Sequence, residues 1–242
     1  MSVSYMDFTS PSVQFSYDLS HNPFFKKDNR NYINSLSVNQ LNTLGNYSLL
    51  DIYLSIGNVI EPHIHQNASE LVYCISGAAT VSIINPFTKE LLNFPITPGQ
   101  VANVPQGWWH YEIATADDTH LLAIFDAQVP EFIAASDMLR LTPASILAHT
   151  YCLDEAMVKE TLAPITSTVV IGPPSGCKHS ASREYTAPAA AVEPAAPEAD
   201  VASPYAYPNL SPYRSNRDYS FSYPKRPPII GNINYYWPFR GF

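Results

Sequence analysis

The chain has 242 residues, of which 46% are hydrophobic and 14% are charged, and its formal net charge is −8. This length allows one large domain, or one domain of about 150 residues with appended segments. An acidic chain without a basic patch argues against nucleic acid and anionic membranes as partners. No apolar run approaches the roughly 20 residues that are needed to cross a bilayer.

The N-terminus, MSVSYMDFTSPSVQF, lacks a basic start followed by an apolar block, so we expect no secretory signal. The cysteines, Cys74, Cys152 and Cys177, are odd in number and widely spaced, which fits neither a disulfide framework nor a metal clip. Free or buried thiols are typical of a reducing compartment, so we expect a cytoplasmic protein with Cys74 in its core.

Residues 1–47 predict an N-terminal segment of irregular structure and short strands that wraps a barrel. Residues 48–126 predict the barrel itself, because short β-rich runs follow one another without a helical period. These runs are LLDIYLSIG, ELVYCISG, ATVSIIN, LLNFPI, QVANVP, WWHYEIA and HLLAIFD. Closely spaced short strands separated by Gly and Pro favour an antiparallel all-β sandwich or barrel.

Residues 127–171 predict a helical segment. Ser136 is a candidate N-cap for DMLRL, and Thr142 followed by Pro143 is a candidate start for PASILAHTY. Asp154 is a candidate N-cap for EAMVKETLA, so the short helices are expected to end near residue 163.

Residues 172–242 predict a low-complexity, disordered tail. The part up to about residue 203 is rich in Ala, Pro and Glu, and this composition buries too little apolar surface to offset the entropy of ordering. The last forty residues are rich in Tyr and Pro instead. That end is either a disordered tail or a segment that binds a protein partner or itself.

The stretch PHIHQNASE, residues 62–70, is unusual for an apolar, strand-forming region. In a strand, His63 and His65 point to the same side, and Glu70 opens the next run. His110, on another predicted strand, can reach the same interior. Three imidazoles and a carboxylate suit Mn(II) or Fe(II), and less specifically Ni, Co, Cu or Zn. The alternative is a polar surface loop.

Two longer patterns carry a resemblance to a known family. GNVIEPHIHQNASELVYCISG, from Gly57, and GQVANVPQGWWHYEIA, from Gly99, resemble the first and second motifs of the cupins, although Ala114 stands where the family usually has Asn. PHIHQNASE resembles the germin branch. FDAQVPEFIAASDMLRLTPASILAHTY resembles the helical segment that follows the barrel in bacterial oxalate decarboxylases. The resemblance covers roughly residues 48–163 and contains one HxH motif, as in a monocupin.

The resemblance implies an all-β fold: an antiparallel jelly-roll cupin barrel followed by short C-terminal α-helices. It implies His63, His65, Glu70 and His110 as ligands of a divalent metal, most often Mn(II), with Fe(II) next. It also implies a homo-oligomer, a trimer or hexamer. Four protein ligands leave two octahedral positions open. A local charge of about +1 favours a small anionic or hydroxylated ligand.

The sequence departs from the oxalate-degrading relatives around this motif. Those enzymes carry an Arg or Asn at the position of Ile60, and germin-type oxidases carry an Asn at the position of Leu50. The decarboxylase lid with its acidic proton donor is also missing, and Glu131 is an imperfect substitute. The metal ligands are therefore kept, while the polar groups that bind oxalate are lost.

Glu112 should share the face of His110 by strand alternation, where it is a candidate acid/base beside the metal. The alternative is that a bulge turns it to solvent. Trp108, by the same rule, is either a pocket wall or core. Four other histidines lack partners at ligand spacing and are interpreted as ordinary residues: His21, His120, His149 and His179.

Two hypotheses about function follow. The favoured one is a Mn- or Fe-dependent oxidoreductase or decarboxylase-like enzyme that acts on a small carboxylate or hydroxylated compound. The alternative is a non-catalytic metal-binding cupin with a structural or interaction role, for example in a spore coat or surface assembly. The sequence has no glycine-rich phosphate loop, so no organic cofactor is expected.

Overall fold

The computed structural model describes residues 7–177. The predicted tail therefore lies outside the described residues beyond Cys177, as does His179. The strands are β1 (Pro23–Lys26), β2 (Tyr32–Leu36), β3 (Ser48–Leu54), β4 (Val59–Ile64), β5 (Glu70–Ser76), β6 (Ala79–Ile84), β7 (Leu91–Ile96), β8 (Val101–Val104), β9 (His110–Ala114), β10 (Thr119–Phe125), β11 (Ile133–Ala134) and β12 (Ile171–Gly172). The helices are α1 (Ala135–Leu141), α2 (Ala144–Tyr151) and α3 (Glu155–Leu162).

The strands form two antiparallel sheets that enclose one core. The first has the order β1-β2-β3-β10-β5-β8, and the second has the order β11-β4-β9-β6-β7, with β12 paired to β4. Side chains alternate between buried and less buried along β5 and β10, as expected for strands with one face on a core. The inner faces contribute the fully buried Val72, Val81 and Leu121. The predicted all-β barrel followed by short helices is confirmed.

The N-terminal segment supplies two strands to the first sheet. β2 pairs with β3 over five residues, from Tyr32 opposite Tyr53 to Leu36 opposite Leu49. β1 then pairs with β2 at the edge. At the other end, β12 returns after the helices and pairs with Val59 and Ile60 of β4. The N-terminal strands therefore extend the first sheet beside β3, and β12 lies beside β4, while the predicted segment boundaries stay a prediction.

The predicted helix starts are correct at one position and wrong at two. Asp154 caps α3, because its carboxylate accepts a hydrogen bond from Met157 N at 2.9 Å. Thr142 ends α1, and Pro143 is the residue before α2. Ser136 lies inside α1, where its hydroxyl donates to a distant carboxylate instead of capping the helix.

Cys74 is fully buried, as predicted, whereas Cys152 and Cys177 are exposed. Within residues 7–177, no helix has the length and apolar character needed to cross a membrane.

Candidate metal centre

Four side chains from both sheets meet inside the barrel: His63, His65, Glu70 and His110. His63 lies near the end of β4, and His65 follows that strand on the same side, as the alternation predicts. His110 opens β9 directly opposite His63, while Glu70 opens β5 in the facing sheet. All four are buried.

Their donor atoms converge on one small volume. The four candidate ligand atoms all lie within 4.8 Å of one another. His63 Nε2 and His65 Nε2 are 3.1 Å apart, and Glu70 Oε2 lies 2.8 Å from His110 Nε2. His65 Nε2 is 3.5 Å from the same carboxylate oxygen. Ligands held about 2.1 Å from an ion lie roughly 3 Å from their neighbours, so this spacing fits a single divalent cation.

The other nitrogen of each imidazole is held by the main chain. His63 Nδ1 donates to the carbonyl of Glu61 at 2.7 Å, and His65 Nδ1 donates to that of Glu131 at 2.8 Å. His110 Nδ1 donates to the carbonyl of Trp108 at 2.8 Å. These bonds leave Nε2 as the ligand atom. Two Nε2 lone pairs that face each other at 3.1 Å need a cation between them or a proton on one of them.

The protonation of the cluster suits a metal. Burial, followed by the charge of His110, lowers the pKa of His63 to about 3, so this imidazole is neutral. Burial opposes ionisation of Glu70, but the hydrogen bond from His110 and the charges of the three histidines together outweigh it and lower the pKa of Glu70 to about 2. Burial also opposes a charge on His110, yet its hydrogen bond to Glu70 and the charges of Glu112 and Glu70 together raise its pKa to about 9. A bound metal would displace that proton.

Glu112 lies on the interior side of β9, two residues from His110. It is 1% exposed, and its Oε1 is 3.8 Å from His110 Nε2. Neither of its oxygens has a hydrogen-bond partner among the described residues. Burial, and then the charge of Glu70, raises the pKa of Glu112 to about 8. The alternative in which a bulge turns Glu112 to solvent is wrong, whereas its catalytic role stays a prediction.

A cavity of about 200 Å³ opens onto His63, His65 and Glu70. Ile60 and Leu50 line it, at the two positions where oxalate-degrading relatives carry polar groups. The rest of its wall comes mainly from β2, β3 and the loop before β11.

Trp108 is not among the residues that line this cavity. It is partly buried against the core and contacts Phe87 edge-on at 6.1 Å, so of its two interpretations the structure favours packing. Glu131 contributes its carbonyl to His65, but its carboxylate lies on the exposed side and accepts from Gln66 Nε2 at 3.0 Å. It therefore does not replace the acidic lid residue of the relatives.

Glu61 is a buried carboxylate that the sequence patterns did not single out. Its Oε1 accepts from Val169 N at 3.0 Å and Val170 N at 2.7 Å. Ser136 donates to Glu61 twice, from its hydroxyl at 3.0 Å and its main-chain N at 2.9 Å. Val170 has a φ of 60°, which is costly for a β-branched residue. In this conformation the N–H groups of Val169 and Val170 both reach Glu61 Oε1. The feature of the sequence that could have drawn attention to Glu61 is its position directly before Pro62 and the histidine pair.

The other described histidines lie apart from the centre. His120 Nε2 is 2.6 Å from Asp51 Oδ1, and its ring stacks on Tyr53 at 4.2 Å. His21 is 3.9 Å from Asp18, and His149 is exposed. Within residues 7–177, none of the three belongs to a cluster that could hold a metal.

The family model that describes the cupins matches residues 22–159, more than half of the chain. The chain belongs to the cupin family. Germin-like protein 1-2 of Oryza sativa subsp. japonica is 31% identical over 120 residues, which are 48% of this cupin and 53% of that protein. Legumin type B of Vicia faba is 28% identical over 103 residues, 42% of this cupin and 21% of that protein.

Solved structures show the same fold. Oxalate decarboxylase from Bacillus subtilis matches with a TM-score of 0.58 at 21% identity, over 66% of this cupin and 43% of that chain. The coconut allergen cocosin matches with a TM-score of 0.57 at 21% identity, over 64% and 42%. The predicted resemblance to germins and oxalate decarboxylase is confirmed. This cupin spans about half the length of its germin-like relatives, and its structural neighbours include an enzyme and an allergen.

Proposed function

We propose that this cupin binds one divalent metal through His63, His65, Glu70 and His110, and that it is a metal-dependent oxidoreductase or decarboxylase-like enzyme. Its substrate is a small carboxylate or hydroxylated compound. The observation that carries the proposal is the convergence of three Nε2 atoms and one carboxylate, with every Nδ1 anchored to a main-chain carbonyl. A preformed set of this kind costs little reorganisation when a metal binds.

The metal is Mn(II) in this proposal, with Fe(II) as the next candidate. Three imidazoles and one carboxylate form a mixed nitrogen and oxygen set that suits both ions. A structural neighbour, Bacillus subtilis oxalate decarboxylase, contains Mn(II) centres, which supports Mn(II) as the first choice. When bound, the metal supplies a Lewis acid with open positions for a ligand oxygen.

The chain supplies the surroundings of the reaction. Ile60 and Leu50 give the cavity beside the centre an apolar wall. Glu112 is the candidate acid/base, because it is buried next to His110 without a hydrogen-bond partner among the described residues. A carboxylate with a raised pKa can hold a proton at neutral pH and release it to a substrate.

Elemental analysis tests the metal directly. Protein purified without added metal or a metal-binding tag should contain about one Mn or Fe per chain, and the double variant His63→Ala/His110→Ala should contain none. Oxygen uptake and release of CO₂ or peroxide are then measured across a panel of small acids and phenols. A metal-loaded chain that turns over none of them would rule out the enzymatic part of the proposal.

A non-catalytic metal-binding cupin with a structural role is the second candidate. Apolar Ile60 and Leu50 in place of the oxalate-binding groups favour it, as does the likeness to legumin type B. Ending the chain after Cys177 keeps every described strand and removes the Tyr/Pro-rich end. If assembly into a coat or surface layer survives this truncation, the tail has no part in it.

We further propose that the chain is a homo-oligomer, a trimer or hexamer, in the cytoplasm. The helical segment exposes large apolar side chains that a second copy could cover: Leu141, Ile146, Tyr151, Leu153 and Met157. Light scattering after size-exclusion chromatography tests this, with Leu141→Lys/Met157→Lys as the variant expected to dissociate into monomers.

A further inference from the structure

The cavity at the candidate metal centre offers almost no charge to a ligand. Its only acidic lining residues are Glu61 and Glu70, and no Arg or Lys is found among the described residues that line it. Glu70 belongs to the metal set, and the oxygens of Glu61 already accept four hydrogen bonds. A second acidic group on a ligand would therefore be buried without a positive partner from the wall, at a large cost in desolvation.

The cavity wall is mostly hydrocarbon, with uncharged polar side chains at Ser35, Ser37, Asn39 and Gln40. β2 and β3 supply Ile33, Leu50 and Ile52, and β4 supplies Ile60. Phe132 closes one side, with its ring centre 6.3 Å from that of His63 and 6.5 Å from that of His65. A ligand body that fills this space exchanges water for apolar contacts.

The cavity is large enough for one ring. Its volume is about 200 Å³, whereas an apolar protein cavity of roughly 150 Å³ is enough to hold benzene. Phe24, which is exposed, meets Phe132 edge-on at 6.3 Å beside the opening. Aromatic rings prefer such edge-on contacts, so a flat ligand ring can join this pair.

We propose that the site selects an organic ligand with a hydrocarbon body, one aromatic ring in size, that carries a single metal-binding pair of oxygens, and that it rejects small dianions such as oxalate. This inference rests on the proposed metal centre. The oxygen pair would bind the metal held by the four candidate ligands, and the body would lie between Leu50, Ile60 and Phe132. Two ligands with the same metal-binding group should therefore differ in affinity because of their contacts with the cavity wall.

Two hydroxamates test this selection because they have the same chelating group. Benzohydroxamate carries a phenyl ring and acetohydroxamate carries a methyl group. Isothermal titration calorimetry with the Mn(II)-loaded full chain should give benzohydroxamate a Kd at least about tenfold lower, because the ring is removed from water. Oxalate should bind more weakly than benzohydroxamate. Equal affinities for the two hydroxamates, or tighter binding of oxalate, would overturn the inference.

Substitutions of residues that line the cavity test whether the preference for benzohydroxamate comes from the cavity wall. Leu50→Asn should raise the Kd of benzohydroxamate much more than that of acetohydroxamate, which removes most of the preference. Phe24→Ser, at an exposed position that tolerates change, should reduce the preference in part and covers the case in which Leu50→Asn does not fold. Leu71→Asn is the matched control, because Leu71 is 36% exposed on β5 and does not line the cavity. A preference that persists in both wall variants contradicts the assignment.

Metal content measured in the same samples separates the two proposals. A folded chain that binds no Mn(II) refutes the proposed metal centre and this inference with it. A chain that holds one Mn(II) and binds both hydroxamates equally refutes the ligand class and leaves the metal centre standing.

Discussion

Removing the carboxylate of Glu61 should destabilise the protein far more than its position on a β-strand suggests. In Glu61→Ala, the main-chain N–H groups of Ser136 and Val170 and the hydroxyl of Ser136 lose their acceptor, while Val169 N–H keeps a longer hydrogen bond to Ser136 Oγ at 3.2 Å. Each such group costs about 1–3 kcal/mol when it is buried and unsatisfied. Val169 and Val170 are only partly buried, so some of the loss is recovered by water. We expect the free energy of unfolding to fall by about 3–5 kcal/mol.

Glu61→Gln should cost less, and the difference follows from the geometry. The amide oxygen can keep the three bonds that Oε1 accepts, from Val169 N, Val170 N and Ser136 Oγ. The amide nitrogen then faces Ser136 N, a second donor, at the 2.9 Å that Oε2 now occupies. One bond is lost and its donor is left unpaired, so a loss of about 1–3 kcal/mol is expected.

Urea unfolding followed by tryptophan fluorescence measures both values. Glu131→Ala is the control, because that carboxylate is exposed and its substitution should stay within about 0.5 kcal/mol. A double-mutant cycle with Ser136→Ala should give a coupling energy with Glu61 of at least about 0.5 kcal/mol. If Glu61→Ala lies within about 1 kcal/mol of the unaltered chain, the carboxylate does not hold the returning segment.

Three further outcomes are expected. Mn(II) at a hundred times its Kd should stabilise the fold by about 2.7 kcal/mol, which differential scanning fluorimetry detects as a rise in melting temperature. His65→Ala should abolish this rise. If Mn(II) does not change the melting temperature of the unaltered chain, the metal site is contradicted. Gly77→Ala places a Cβ 2.5 Å from Thr119 Cα at φ +70°, whereas Gly57→Ala at φ +79° meets open space. In both variants the positive φ costs about 1–2 kcal/mol, but Gly77→Ala should have the clearly lower denaturation midpoint because of the added clash. Equal midpoints would refute the close approach of Gly77 to Thr119. Glu112→Gln should keep one metal per chain and lower turnover at least about a hundredfold; unchanged turnover excludes it as the acid/base.

The meeting of the four candidate ligands was predictable partly from short-range rules and partly from the cupin resemblance. Alternation along a strand sends His63 and His65 to one side, and the same period places Glu112 with His110. Glu70 and His110 lie on other strands, and their place in the set was implied by the resemblance to the two cupin motifs. Patterns with a period of two carry this information in the sequence itself.

The support around Glu61 was not predictable in this way. Glu61 and Val169 are 108 residues apart, and no local pattern relates them. Pro62 lies where the pairing of β4 with β9 shifts register, so Ile60 and Glu61 are both buried and the simple alternation fails. Ser136 has the chemistry of an N-cap, but a distant carboxylate offered its hydroxyl a buried partner. Tertiary contacts decided these positions.

The N-terminal strands were the other part that the sequence left open. Ile33 belongs to a segment with weak β patterning, yet it lines the cavity beside the metal ligands. Its role depends on the pairing of β2 with β3, which is set by the whole sheet and not by the segment alone.

The acceptors that orient the three imidazoles are peptide carbonyls, those of Glu61, Trp108 and Glu131. A substitution changes a side chain but leaves its peptide group in place. A substitution at any of these positions, or in the cavity wall, therefore leaves the carbonyl acceptor in the chain, although at Glu61 it also removes the carboxylate that holds the returning segment. The direction of the three imidazoles is thus encoded in the path of the backbone, whereas the chemistry of the cavity beside them is encoded in its side chains.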